Sequence, residues 1–204
     1  MKRIRAIILA VAAMLALSMN LQAQTWHFGP KAGYAASWMP GTTINGDEQS
    51  ILPHSSFYGG FLIDCYFGEM FYAEADIMYA GKGHSDKGGI DIQFSRQLNY
   101  LQMPLLFGVS FADDQATVAI GPEFGWLISS TVKTMDLPKF NNTESCNRFN
   151  IALGLQLEYM ISDEFGVDLK FDWGLNRTKK YYIDVDDKGR NLSLQVGVCY
   201  KFEL

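Results

Sequence analysis

Seven acidic residues and three lysines recur at positions where extended segments would turn them toward one shared space. They are Asp64, Glu74, Asp76, Glu123, Glu158, Asp168 and Asp172, with Lys31, Lys170 and Lys201. Carboxylates held together in an enclosed site can divide into acid and base when their surroundings differ, so the set could move protons. It could equally fill an interior as ion pairs, since a buried charge persists where a partner and hydrogen bonds satisfy it. Partners of both signs are present, and the filling network is the expectation. A second constellation is His54-Ser55-Ser56 with His84-Ser85-Asp86. Ser in hydrogen-bond contact with His makes an activated nucleophile, but loops are rich in the same residues, and no enzyme is expected. A third, Asp184-Val-Asp-Asp-Lys-Gly189, starts like a calcium loop. Lys188 at its fifth position and Gln195 at its twelfth break the ligand pattern. No metal and no cofactor are expected.

The elements that must position these residues are legible from periodicity. In the closing stretch, Leu192, Leu194, Val196, Val198, Tyr200 and Phe202 share one parity, and Ser193, Gln195, Gly197, Cys199 and Lys201 share the other. A period of two means a strand with one apolar and one polar face. The same pattern predicts strands over residues 25–38, 55–67, 70–81, 90–111 at longest, 116–130, 149–159, 165–176 and 191–204. Short turns at 68–69, 112–115 and 162–164 alternate with longer connections at 39–54, 82–89, 131–147 and 178–190. Every short turn falls at the end shared by both termini. That asymmetry predicts an eight-stranded antiparallel up-and-down transmembrane β-barrel with its turns in the periplasm and its loops outside.

Alternation alone does not say which face is inside, because a lipocalin-type barrel has the same period around an apolar lumen. Two features decide for the membrane. The apolar face is unbroken, and aromatic residues gather at strand ends as two girdles would: Trp26, Trp38, Tyr79, Phe111, Tyr159, Phe165, Tyr200 and Phe202. The other face mixes Gly and Ala with sparse charges, as a narrow lumen requires. Lys31 and Lys201 should therefore point inward, Lys201 near Asp168 and Lys31 near Asp172 or Glu74. Pro30, Pro104 and Pro122 lie within strands, where a missing N–H predicts bulges or bends. Cys65 and Cys199 have opposite parities and Cys146 sits in a loop, so no disulfide framework is expected.

Residues 1–23 read as a signal peptide, with basic Lys2, Arg3 and Arg5, an apolar run from Ala6 to Met19, and Ala23 before the cut. Residues 24–204 then form a single barrel domain, and Gln24 offers no cysteine for a lipid anchor. Loss of the leader leaves 14 basic against 22 acidic residues. That balance excludes nucleic acid, which demands clustered Lys and Arg.

Tyr100-Leu-Gln-Met-Pro-Leu-Leu106, Gly121-Pro-Glu-Phe-Gly125, Gly154 with Glu158-Tyr159, and Gly197-Val-Cys-Tyr-Lys-Phe202 carry a resemblance across the mature chain. It resembles the PorT-like outer-membrane β-barrel family of Bacteroidetes, also termed porin-like. The resemblance implies an integral outer-membrane location, a small barrel, contact with membrane lipid, and insertion by the barrel-assembly machinery. It departs in one respect, because Glu203-Leu204 follow Phe202 where the assembly signal usually ends on the aromatic residue. The leading expectation is a non-enzymatic structural component, or one that binds a protein partner through its outer loops, with a lumen filled by side chains. The alternatives are an accessory role in protein export across the outer membrane, and an envelope lipid-modifying enzyme using His54 and His84.

Overall fold

Eight long strands close on themselves in the computed structural model, which describes residues 24–40, 43–44, 47–48, 51–67, 70–87, 93–134, 137–178 and 190–204. They are β1 (Gln24–Trp38), β2 (Ile51–Phe67), β3 (Phe71–Lys87), β4 (Gln93–Phe111), β5 (Ala116–Thr134), β6 (Phe149–Met160), β7 (Phe165–Gly174) and β8 (Leu192–Tyr200, resuming as Phe202–Glu203). Each pairs antiparallel with its sequence neighbours, and β1 pairs with β8 through Lys31↔Cys199 to Trp38↔Leu192, so the sheet has no free edge. The expected leader, residues 1–23, and the Asp184–Gly189 segment lie outside the described residues.

The period of two sorts the wall cleanly. Lys31 and Lys201 are 1% and 2% exposed, whereas Phe28 and Val198 on the other parity are 41% and 43% exposed. An apolar exterior about nine or ten residues tall matches the band of roughly 25 Å that a membrane barrel presents. Six of the eight expected girdle residues are exposed on it: Trp26, Tyr79, Phe111, Tyr159, Phe165 and Phe202. Trp38 and Tyr200 are partly covered. Trp126 and Trp173, half-exposed on β5 and β7, were not among the expected aromatics.

The wall is uneven. β2 to β5 run 17, 17, 19 and 19 residues, while β6 and β7 run 12 and 10. Half of the barrel therefore stands above the other half at the loop end. The connection expected over 131–147 contains further structure: Leu137–Asn141 folds back along β5, and a 3₁₀ turn follows at Thr143–Ser145. Thr143 closes that turn by accepting the Ser130 N–H at 2.8 Å through its hydroxyl.

Pro30, Pro104 and Pro122 do not shift the register. Ladder pairs are missing at Gly29–Pro30 against β8, at Met103–Pro104 against β3, and where Pro122 and Gly121 of β5 face Leu105 and Leu106 of β4, yet pairing resumes in step on either side. A missing donor opens the ladder locally while the pleat carries on. The register shifts fall elsewhere, between Pro53 and Tyr58 and between Asn99 and Tyr100. At the turn end, Ala112, Asp113 and Asp114 form a tight left-handed turn with φ of 57°, 53° and 63°.

Candidate functional site

All ten acidic and basic residues expected inside are at most 3% exposed, and they fall into two layers. The layer nearer the loop end is an alternating ring. Lys82 Nζ donates to Glu123 Oε1 at 2.9 Å and to Asp172 Oδ2 at 3.2 Å. Lys170 Nζ donates to Glu123 Oε2 at 2.9 Å and lies 3.6 Å from Asp172 Oδ1. Gln102 also donates to Glu123, and Ser193 and Gln195 each donate to Asp172 Oδ2 at 2.8 Å. The ring thereby ties β3, β4, β5, β7 and β8 together across the lumen.

The layer nearer the turn end is richer in acid. Lys201 pairs with Glu158 and with Asp64 Oδ2 at 2.6 Å, and His27 Nδ1 lies 2.8 Å from Asp64 Oδ1. The Lys201 ammonium also sits 5.7 and 5.4 Å from the ring centres of Tyr66 and Tyr72, within cation–π range. Lys31 Nζ donates to Glu74 Oε1 at 2.8 Å and to Gln156 Oε1 at 2.9 Å, with Asp76 Oδ2 at 3.7 Å. Tyr72 donates its hydroxyl to Glu74, and Tyr58 donates to Asp168 Oδ2 at 3.0 Å. Gly197 makes that last bond possible, because a Cβ there would lie 2.0 Å from the Tyr58 hydroxyl.

One expectation is corrected, and one is narrowed to the second of its two alternatives. Lys201 does not meet Asp168. Asp168 stands opposite Gly197, so it faces Tyr58 rather than its strand neighbour's lysine. Lys31 meets Glu74 and not Asp172, which belongs to the other layer. Lys82, read as the start of a loop, lies within β3 and completes the ring. Its signal was its parity with Glu74 and Asp76, which continues through Ala80 and Lys82.

Asp64, Glu74 and Glu158 bring carboxylate oxygens within 4.8 Å of one another, close enough to hold a cation. The Lys201 ammonium, bonded to two of the three, supplies that positive charge. Ser55 receives the Tyr34 hydroxyl, and Ser56 donates to the Gly81 carbonyl at 2.5 Å. His84 is buried and His54 is half-buried at the loop end of β3 and β2.

The two mouths differ. Toward the loops, Met39, Leu98, Tyr100, Leu127 and Cys146 form a buried apolar plug. Toward the turns, a cavity of about 330 Å³ reaches His27, Tyr66 and Lys201 between Asp113, Asp114, Asp163 and Glu203.

The profile described as outer membrane protein beta-barrel domain matches residues 22–180. No curated protein matches the chain by sequence. Among solved structures, the chain is similar to Ail, the attachment invasion locus protein of Yersinia pestis, in complex with the heparin analogue sucrose octasulfate. Identity is 12% over 87% of this chain and 99% of that one, with a TM-score of 0.49. It is similar to Neisserial surface protein A at 10% identity over 89% and 100%, with a TM-score of 0.49. It is also similar to OprG of Pseudomonas aeruginosa at 10% identity over 89% and 98%, with a TM-score of 0.45.

Proposed function

The chain belongs to the outer membrane protein β-barrel domain family and is an integral protein of the bacterial outer membrane, and from that premise we propose that it is a closed, non-enzymatic barrel. In this reading residues 1–23 are removed, the barrel-assembly machinery inserts residues 24–204, both termini stay periplasmic, and the loops present a surface to a protein partner. The observation that carries the reading is the filled lumen. A ring of two ammonium groups and two carboxylates spans it, and an apolar plug of Met39, Leu98, Tyr100, Leu127 and Cys146 lies above. Eight strands enclose space for side chains and little else. The Ser56 hydroxyl donates to the Gly81 carbonyl and not to a histidine, which supports the non-enzymatic reading at that residue.

Planar-bilayer recording of the purified protein tests the proposal. The expected result is a silent membrane, and large stable channels would overturn it. A second reading, accessory work in protein export, rests on the PorT-like motifs at Tyr100–Leu106 and Gly197–Phe202. Pull-down from detergent-solubilised envelopes separates the two, since a complex member brings export components with it and a lone barrel does not.

A further inference from the structure

We infer that the acid-rich layer of the lumen holds a calcium ion, bound by the carboxylates of Asp76 and Asp168 and entering from the turn end. The site goes beyond the closed-barrel reading and takes from it only that the loop end is shut.

The charge count comes first. Below the ring, Asp64, Glu74, Asp76, Glu158 and Asp168 face Lys31 and Lys201 with His27 beside them, and all but His27 are at most 3% exposed. The turns beneath supply no cation. Over the full sequence, residues 24–30, 66–72, 110–116, 160–166 and 202–204 hold no Lys or Arg, and they add Glu69, Asp113, Asp114, Asp163, Glu164 and Glu203. Even a charged His27 leaves two lumen carboxylates unmatched. Such a surplus is costly in a dry interior, and water brings donors without bringing charge.

Hydrogen bonding singles out two of the five carboxylates. Lys201 serves Asp64 and Glu158, while Lys31, Tyr72 and Gln156 serve Glu74. Neither oxygen of Asp76 accepts a hydrogen bond, and Asp168, which takes the Tyr58 hydroxyl on Oδ2, has Oδ1 open. Both carboxylates act on the Lys31 ammonium and on the Tyr58 hydroxyl, so they flank the same part of the lumen. Lys31 stands 3.7 Å from Asp76 and is already committed to Glu74 and Gln156. One inward step toward the ring, Gln102 lies opposite Met78 and Gln195 opposite Lys170, and their amide oxygens also lack donors. Five buried oxygens thus converge on this depth with no positive centre of their own.

The ligand types name the ion. Carboxylate and amide oxygens suit a hard cation. Calcium accepts about six to eight of them in irregular geometry, whereas magnesium demands a near-octahedral set and keeps its waters. A lumen packed with side chains favours the ion that sheds water more readily. The way in is the turn-end cavity of about 330 Å³, which runs from Asp113, Asp114, Asp163 and Glu203 to Lys201. An acidic mouth with low-dielectric walls concentrates cations, and the apolar plug closes the other end.

Equilibrium dialysis of radioactive calcium against the barrel refolded in zwitterionic lipid vesicles tests the site. One ion should be retained per barrel at about 1 mM calcium, the range of extracellular calcium modules, and an equal concentration of magnesium or sodium should not displace it. Asp76→Asn and Asp168→Asn should each weaken retention about ten-fold, the scale of one lost charged contact. Asp113→Asn with Asp114→Asn, at the mouth, should change it far less. Chemical unfolding gives a second readout. In chelator Asp76→Asn should unfold at higher denaturant than the parent chain, and with calcium the order should reverse. Heat-modifiable gel migration reports that the variants are folded. No retained calcium, equal retention of magnesium or sodium, or unchanged retention by Asp76→Asn would overturn the site. Loss of calcium in the mouth variant alone would also overturn it, leaving an adventitious ion only. Planar-bilayer recording reads the closed barrel independently, so failure of that reading is told apart from failure of this site.

Discussion

Near the loop end of the lumen, Lys82 and Lys170 alternate with Glu123 and Asp172, while near the turn end Asp64, Glu74, Asp76, Glu158 and Asp168 share Lys31, Lys201 and the half-buried His27. The residue types are the same, but the charge balance is not. The balanced ring lies beneath an apolar plug, where no solvent can compensate a surplus. The acid-rich layer borders the turn-end cavity, so water and counter-ions approach it, and Tyr58 and Tyr72 contribute hydroxyl donors in place of further lysines. Access to solvent sets how much unmatched charge each depth tolerates, since an unpaired ion costs most where it is driest.

The difference can be broken most directly in the ring. Lys82→Met leaves Glu123 and Asp172 with one ammonium between them. Removing one partner of a buried pair costs about 3–5 kcal/mol, and chemical unfolding in lipid vesicles should show a loss of that size. A loss under about 1 kcal/mol would mean that the ring contributes little.

In the acid-rich layer, removing a carboxylate should help. Asp76 is 2% exposed, its nearest ammonium is 3.7 Å away, and neither of its oxygens accepts a hydrogen bond. Asp76→Asn should raise stability by about 1 kcal/mol in the same assay, because it removes a poorly compensated buried charge. A loss comparable with that of Lys82→Met would show the two layers to be equivalent. The smallest effect lies outside both layers. Ala112→Gly relieves a left-handed backbone at a cost in unfolded-chain entropy, for a net gain of about 0.5 kcal/mol. Its value is as a control, since it should leave the contrast between the layers untouched.

Strand parity made the barrel, its inward lysines and its apolar exterior legible, because a membrane on one side and a packed lumen on the other force opposite chemistry onto alternate residues. Lys82 escaped that logic. Beyond Ala80 the outward row of β3 reads Gly81 and Gly83, with no apolar contrast to mark a strand still running. The partner of Lys201 was equally out of reach. Lumen contacts join strands that are not neighbours, and the stagger of the closed sheet decides which residues share a height. Glu158 on β6 and Asp64 on β2 reach Lys201 across the interior, whereas Asp168 on the adjacent strand stands too far along it.

The gap where Pro30 faces the break in β8 gives the closed wall a direction of opening. β1 and β8 come from opposite ends of the chain, so their ladder can zip only after the other seven exist. Pairs are missing there between Phe28↔Phe202 and Lys31↔Cys199; the Lys201 N–H turns instead to the Glu164 carbonyl on the β7 side at 2.7 Å, and below the gap the seam is held by the last two pairs and the Leu204 N–H on the Trp26 carbonyl at 2.9 Å. Fewer backbone bonds mean a lower free energy for local opening. Solvent deuterium should therefore enter the amides around Tyr200 to Phe202 before it reaches those of the other seams, fraying the barrel from the turn end upward while the plugged end stays shut.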